Sequence, residues 1–179
     1  MKILQLFLPL AFLLAGHACN SHADESIYEK DLDFLREHLD VQVLQAEGGR
    51  CQVALVGDYQ GRVMTSTAGG MQGTSYGWIN YKLIASGEFA DHINAFGGED
   101  RLWLGPEGGQ FALYFKPGSK FEFADWVTPA VIDTDSFEIV EQTADRVVFR
   151  HSTELINYSG TRFSMGIERT VSLLNRESA

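Results

Sequence analysis

Apolar residues recur along this chain at two spacings, and the change falls near residue 40. Within residues 24–40, Tyr28, Leu32, Leu35 and Leu39 stand three or four positions apart, which lines one face of a helix. Asp24 and Ser26 stand where capping side chains belong, and the early acids suit the positive end of the helix dipole. His38 falls on the polar face. From Val41 the period becomes two. Val41–Ala46 and Cys51–Val56 flank a Glu-Gly-Gly-Arg turn at residues 47–50, which predicts a β-hairpin. A second turn at residues 57–61 leads to a third strand, Arg62–Thr67. The alternation returns at residues 136–141, 146–156 and 161–171, separated by turns at 143–145 and 157–160. Such a meander is antiparallel sheet with one wet face. The expected fold is mainly β, an antiparallel β-sandwich with one N-terminal helix packed on it.

The middle follows neither period. Fifteen of the 18 glycines lie between Gly48 and Gly118, interleaved with Tyr76, Trp78, Tyr81, Trp103 and several phenylalanines. Glycine weakens regular elements, so this density implies loops with unusual backbone angles, and loops on a rigid scaffold are where function concentrates. Residues 80–86 predict one short helix ended by Gly87. Residues 101–104 predict a short strand with Arg101 and Trp103 on one face and Leu102 and Leu104 on the other.

The N-terminus stands apart. Residues 3–15 are apolar behind Lys2, too short for a bilayer span but suited to a signal-peptide core. The segment before Cys19 resembles the lipobox of bacterial lipoproteins, in which the cysteine carries lipid, although Gly16 replaces the usual branched aliphatic. Cleavage after Ala18 or Ala23 competes with this reading. The expected organisation is a signal peptide at 1–18, a helix at 24–40 and a β-sandwich domain at 41–179. The protein is expected to be exported, either periplasmic or anchored to the outer membrane by lipid at Cys19. Cys51, the one other cysteine, reads as a buried free thiol. With no CxxC and no zinc spacing, neither a metal nor a cofactor is expected. The net charge of −10 and the lack of any basic run argue against nucleic acid as a partner.

Residues 91–110 hold the densest chemistry: His92, Asn94, Glu99, Asp100, Arg101, Trp103 and Glu107. An indole beside a guanidinium and carboxylates matches a sugar ring, whose C–H face stacks on the aromatic while its hydroxyls take polar partners. Trp78, Asn80, Asn94, Glu99, Asp100, Arg101 and Trp103 are therefore the candidate substrate-binding residues. His92 and Glu107 are the candidate catalytic acid and base. A plainer reading has Arg101 bridging Glu99 or Asp100 and Trp103 in the core. A calcium site of Glu99, Asp100 and Glu107 fits no loop spacing, and no G-x-S-x-G elbow occurs.

Gly61-Arg-Val-Met-Thr-Ser after an alternating strand resembles a turn near the start of galactose-mutarotase-like (aldose-epimerase-like) β-supersandwich domains. Residues 97–109, Gly-Gly-Glu-Asp-Arg-Leu-Trp-Leu-Gly-Pro-Glu-Gly-Gly, are similar to an element in uncharacterised relatives of that fold. The wider string from Gly61 through Gly77-Trp-Ile-Asn80 to Asn157-Tyr-Ser-Gly-Thr161 resembles a bacterial exported family of unknown function. The resemblance implies a supersandwich of which this chain is the N-terminal part, and recognition of a carbohydrate or glycan, with chemistry at the anomeric centre if there is any. Mutarotases use two histidines and a late carboxylate; His92 and His151 stand here outside that motif. The other expectation is a non-catalytic envelope lipoprotein that binds glycans or a protein, touching the membrane only through its lipid.

Overall fold

The computed structural model describes residues 27–174. The signal segment 1–18, Cys19, Ala23, the capping residues Asp24 and Ser26, and residues 175–179 lie outside the described residues.

Helix α1 (Tyr28–His38) buries Tyr28, Leu32 and Leu35, the face that the spacing requires. Its N-cap is Ile27, which offers no capping side chain. Carbonyls of a glycine-rich loop take that role, because Tyr28 N donates to Gly73 O at 2.9 Å and Glu29 N to Met71 O at 2.9 Å. Two of the orphan donors of the first turn are thus satisfied by tertiary structure.

Strands β1 (Val41–Ala46), β2 (Cys51–Val56) and β3 (Arg62–Thr67) form an antiparallel sheet in that order. Alternation sends Ala54, Val56 and Met64 toward α1, and Leu44 and Leu55 into a second core cluster. Both faces of this sheet are covered. The second cluster also takes Val147 and Phe149 from a later strand, so the second sheet packs on the side of the first that α1 leaves free. That sheet is β6 (Glu138–Gln142), β7 (Arg146–Ile156) and β8 (Arg162–Ser172), again antiparallel and in chain order. Between β3 and β6 lie β4 (Trp78–Ile79), paired with β5 (Gly97–Gly98), helix α2 (Tyr81–Ser86) and two single 3-10 turns, at Phe123–Asp125 and Ala130–Ile132. The protein is therefore mainly β and antiparallel.

Gly61 shows how closely the sheets approach. Its φ is +66°, and a Cβ there would lie 2.5 Å from Cδ2 of Phe149. Only glycine admits both that backbone angle and the ring.

Structure and expectation differ in several places: α1 ends at His38 and not at residue 40, because Leu39 is already extended at φ −140°, and β8 is shifted by one residue. β6 starts two residues late because Phe137 N donates to Gly57 O at 2.9 Å and Ser136 Oγ to Asp58 Oδ1 at 2.8 Å. Those residues belong to the 57–59 turn before they can join a ladder. Residues 101–104 form no strand: the Leu104 carbonyl accepts from Tyr114 Oη at 2.8 Å instead of from a neighbouring strand. The alternation survives without the ladder. Arg101 stacks over the Trp103 ring at 4.8 Å, while Leu102 and Leu104 pack on the second core cluster.

Candidate functional site

Two concavities flank a buried polar wall in the loop-rich middle of the chain. The wall is built on Asp133, which is 4% exposed. Its Oδ1 lies 2.5 Å from Arg101 Nη2, and it accepts from Asn94 N at 3.1 and 3.2 Å and from Asn94 Nδ2 at 2.8 Å. Arg101 also donates to the Ile132 carbonyl at 3.1 and 3.3 Å, and Asn94 Oδ1 accepts from Ala90 N at 2.7 Å. A carboxylate that accepts from a guanidinium and from two amide N–H groups, one of them shared between its oxygens, is a satisfied buried charge. The partner of Arg101 is thus neither Glu99 nor Asp100, as the plainer reading had it.

On one side of the wall lies a shallow depression of about 370 Å³, lined by Arg62, Trp78, Gly97, Gly98, Glu99, Asp100 and Arg101 together with Ala95. The β4–β5 pairing puts Trp78 opposite Gly98, and Trp78 remains 61% exposed. Gly98, at φ +106°, is needed because a Cβ there would sit 2.8 Å from both the Val63 carbonyl and the Arg62 side chain. The acids are clamped to neighbouring strands. Glu99 N donates to Val63 O at 2.8 Å, Ser66 Oγ donates to Glu99 Oε2 at 3.0 Å, and Asp100 accepts from Val63 N at 2.9 Å while pairing with Arg169. Beneath them Arg62 is 2% exposed, donating to Gly97 O at 3.0 Å and Gln60 Oε1 at 3.2 Å, and lying near the stacked rings of Tyr59 and Phe96. Burial, then the Arg101 charge, lowers its pKa to about 10.

Trp103 is more occupied than Trp78. It lies under the Arg101 guanidinium at 4.8 Å and beside the Tyr114 ring at 5.4 Å, and its Nε1 donates to Glu107 Oε1 at 2.8 Å. Burial above all raises the Tyr114 pKa.

On the other side of the wall lies a cavity of about 770 Å³, whose lining includes His92, Asn94, Thr128 and Asp133. His92 Nδ1 is 2.5 Å from the Trp126 carbonyl, and its ring is 4.5 Å from that of Phe123. Glu107, held on Trp103, does not line the cavity that His92 lines. Asn80 serves α2: its Oδ1 accepts from Leu83 N at 3.2 Å and its Nδ2 donates to Ala95 O at 2.9 Å. His151 pairs with Asp135 at 3.3 Å and stacks on Phe137 at 4.9 Å.

The structure therefore gathers Trp78, Glu99, Asp100 and Arg101 in one place, adjoins Trp103 and Glu107 to Arg101, keeps Asn94 in the wall itself and puts His92 beyond it. Sequence reasoning missed Asp133 and Thr128. An acid closing the apolar run Ala130-Val-Ile-Asp133 was a legible sign of a buried partner; Thr128 gave none. Among the described residues no group of His, Cys, Asp and Glu could hold a metal ion, and no helix is long and apolar enough to cross a membrane.

By fold and site this is a mainly antiparallel β protein with concavities built largely from its loops. The chain belongs to a family of unknown function, DUF6786, which matches residues 26–179. No curated protein and no solved structure matches it.

Proposed function

We propose that the protein is an exported carbohydrate-recognising domain whose binding face is the depression around Trp78. The observation that carries this reading is an indole 61% open to solvent beside Glu99, Asp100 and Arg101 in one concavity. Among the described residues no aromatic ring packs on Trp78, and neither Glu99 Oε1 nor Arg101 Nη1 has a hydrogen-bond partner. A free π face with a spare acceptor and a spare cationic donor suits a ring with apolar C–H and polar O–H edges. The resemblance to galactose-mutarotase-like domains supports the same ligand class. Recognition without turnover is the simpler form of this reading, because Glu107 is tied to Trp103 and His92 faces another concavity.

Glycan-array screening followed by calorimetry tests it. Trp78→Ala abolishes binding, and Trp103→Ala weakens it less. Equal affinity of wild type and Trp78→Ala for every glycan bound rejects the depression as the site. Export and lipid attachment at Cys19 belong to the same proposal; they require palmitate labelling of the wild type that disappears in Cys19→Ser.

A further inference from the structure

Strand β8 is an open edge of the second sheet. It pairs with β7 from Arg162 to Ser172 without a register shift, and its other side has no backbone partner among the described residues. Native proteins usually keep such an edge short, bulged or covered, because its unpaired N–H and C=O groups recruit other strands. β8 is long and regular instead. Arg162, Phe163, Ser164, Gly166 and Glu168 are exposed, with Met165 and Ile167 half-buried between them.

The sequence of this edge is complementary to itself in one register. Opposite residues of an antiparallel pair share a face, so when two β8 strands pair symmetrically the centre falls on a residue that meets its own copy. With Met165 at the centre, Arg162 faces Glu168 of the second copy, Phe163 faces Ile167 and Ser164 faces Gly166, each twice. Centring on Gly166 sets Phe163 against Arg169, and centring on Ile167 sets Met165 against Arg169. Centring on Glu168 or Arg169 sets like charge against like. Only the Met165 register joins arginine to glutamate.

Both faces of the sheet agree with it. Within one chain Arg162 pairs with Glu154 at 3.0 Å and Glu168 with Arg150 at 2.7 Å. Across the junction the charges then alternate over four strands: Glu154, Arg162, and Glu168 and Arg150 of the second copy. On the other face Phe163, Met165 and Leu155 line an apolar hollow of about 250 Å³ with Leu104, Phe111 and Leu113. Ile167 of the second copy lies beside Phe163 in this register and covers a ring that is 41% exposed in the single chain.

We propose that two copies of this chain associate through β8, antiparallel and centred on Met165, to form one continuous sheet with three strands from each copy. The contact is isologous, so it consumes both β8 edges and closes at two chains. One strand pair is a small interface, so the dimer is weak and separates on dilution.

Sedimentation of the full chain tests this, with monomer giving way to dimer and to nothing larger as concentration rises. Met165→Cys sets two thiols opposite each other, at a Cα separation of about 4.5–5.5 Å that suits a disulfide, and gives a linked dimer under mild oxidation. The wild-type chain, with Cys19 and Cys51, sets the background. Ser164→Cys and Gly166→Cys link poorly alone and well when mixed, since each faces the other; a Cβ at Gly166 meets nothing within 4 Å. Arg162→Glu weakens the dimer about fivefold or more, and adding Glu168→Arg restores it. Thermal melts of dilute samples check that each variant folds. A chain that stays monomeric at every concentration overturns the proposal, and so does growth beyond two chains. A dimer that Met165→Cys does not link above background, or that Arg162→Glu leaves at full strength, forms through another surface and overturns it too.

Discussion

The two three-stranded sheets share a topology and even an irregularity, a register shift at Ala54/Leu55 in one and at Ile139/Glu141 in the other. Their burial differs. In β2 four of six positions are buried, because α1 covers one face and the second core cluster the other. In β7 only Val147, Val148 and Phe149 are buried, and beyond them half-buried and exposed residues alternate along both β7 and β8. The hydrogen-bond ladders are equally regular, so the ladder alone does not decide how much a strand stabilises the fold. Coverage decides it.

The largest effect is therefore expected at Phe149, where the two sheets meet over Gly61. Phe149→Ala removes a ring at 0% exposure and leaves a cavity, at a cost of about 4 kcal/mol. Phe163→Ala, on the same hairpin but 41% exposed, costs about 1 kcal/mol or less. Urea midpoints at unchanged m-value measure both. Equal losses would mean that the far half of β8 is as covered as the near half.

The next effect tests the loop-built middle, whose one ladder is the two-residue pairing of β4 with β5 and which depends on the polar wall instead. Asp133→Ala takes the carboxylate from the Arg101 guanidinium, which keeps only the Ile132 carbonyl, and from the Asn94 amide, at a cost of about 3 kcal/mol. Hydrogen exchange should show that loss concentrated in residues 90–135. A loss spread evenly over all strands would make the wall part of the global core.

Alkaline pH reaches buried phenols on both sides of the first sheet, and Tyr28→Phe isolates the helix-covered side. Burial pushes both Tyr28 and Tyr59 up to about 12, and both belong to the cluster beneath α1. The unfolded chain ionises its phenols near pH 10, so between about pH 10 and 12 the folded state binds more protons and stability falls as pH rises. Arg62, lowered to about 10, acts in the opposite sense, as one group against three, because burial also raises Tyr114 in the second core cluster. Tyr28→Phe should make the alkaline fall shallower by up to about one proton, roughly 1–2 kcal/mol by pH 12. Near pH 7 it changes little, because Tyr28 Oη has no partner among the described residues. Melts from pH 7 to 11.5 read this out, and an unchanged slope would place the titrating phenols elsewhere.

How much of this the sequence reveals follows the same division. Val41–Ala46, Cys51–Val56, Arg62–Thr67 and the β7 span read correctly, because alternation reports a sheet face wherever turns bound it. Asn80 and Gly87 mark α2 for the same local reason: one caps through its side chain, the other through a left-handed backbone. Either Trp103 or Trp78 was expected as the indole beside Glu99, Asp100 and Arg101; the pairing of β4 with β5, which puts Trp78 in a depression that Trp103 does not line, was not expected. What stayed illegible was long-range. The α1 cap comes from Gly73 and Met71, the partner of Arg101 is Asp133, and the strand expected at residues 101–104 gives way to a Tyr114 hydroxyl. None of these leaves a period in the chain, since each depends on where a loop returns.

The smallest effect concerns the wet face itself. Arg150 and Glu168 are direct cross-strand partners on β7 and β8, 2.7 Å apart with both side chains more than half exposed. Such a pair gains little, because water screens the attraction and ordering two long side chains costs entropy. Glu168→Gln should cost about 0.5 kcal/mol or less, and the difference should shrink further in about 0.5 M salt. The pair helps select one register among alternatives differing by a residue, since a slip would turn Phe149 out of the core. Glu168→Gln melting within a degree or two of wild type keeps the contrast between the sheets intact. A loss several times larger would show that this face is shielded from solvent, and would remove the difference in coverage on which the contrast rests.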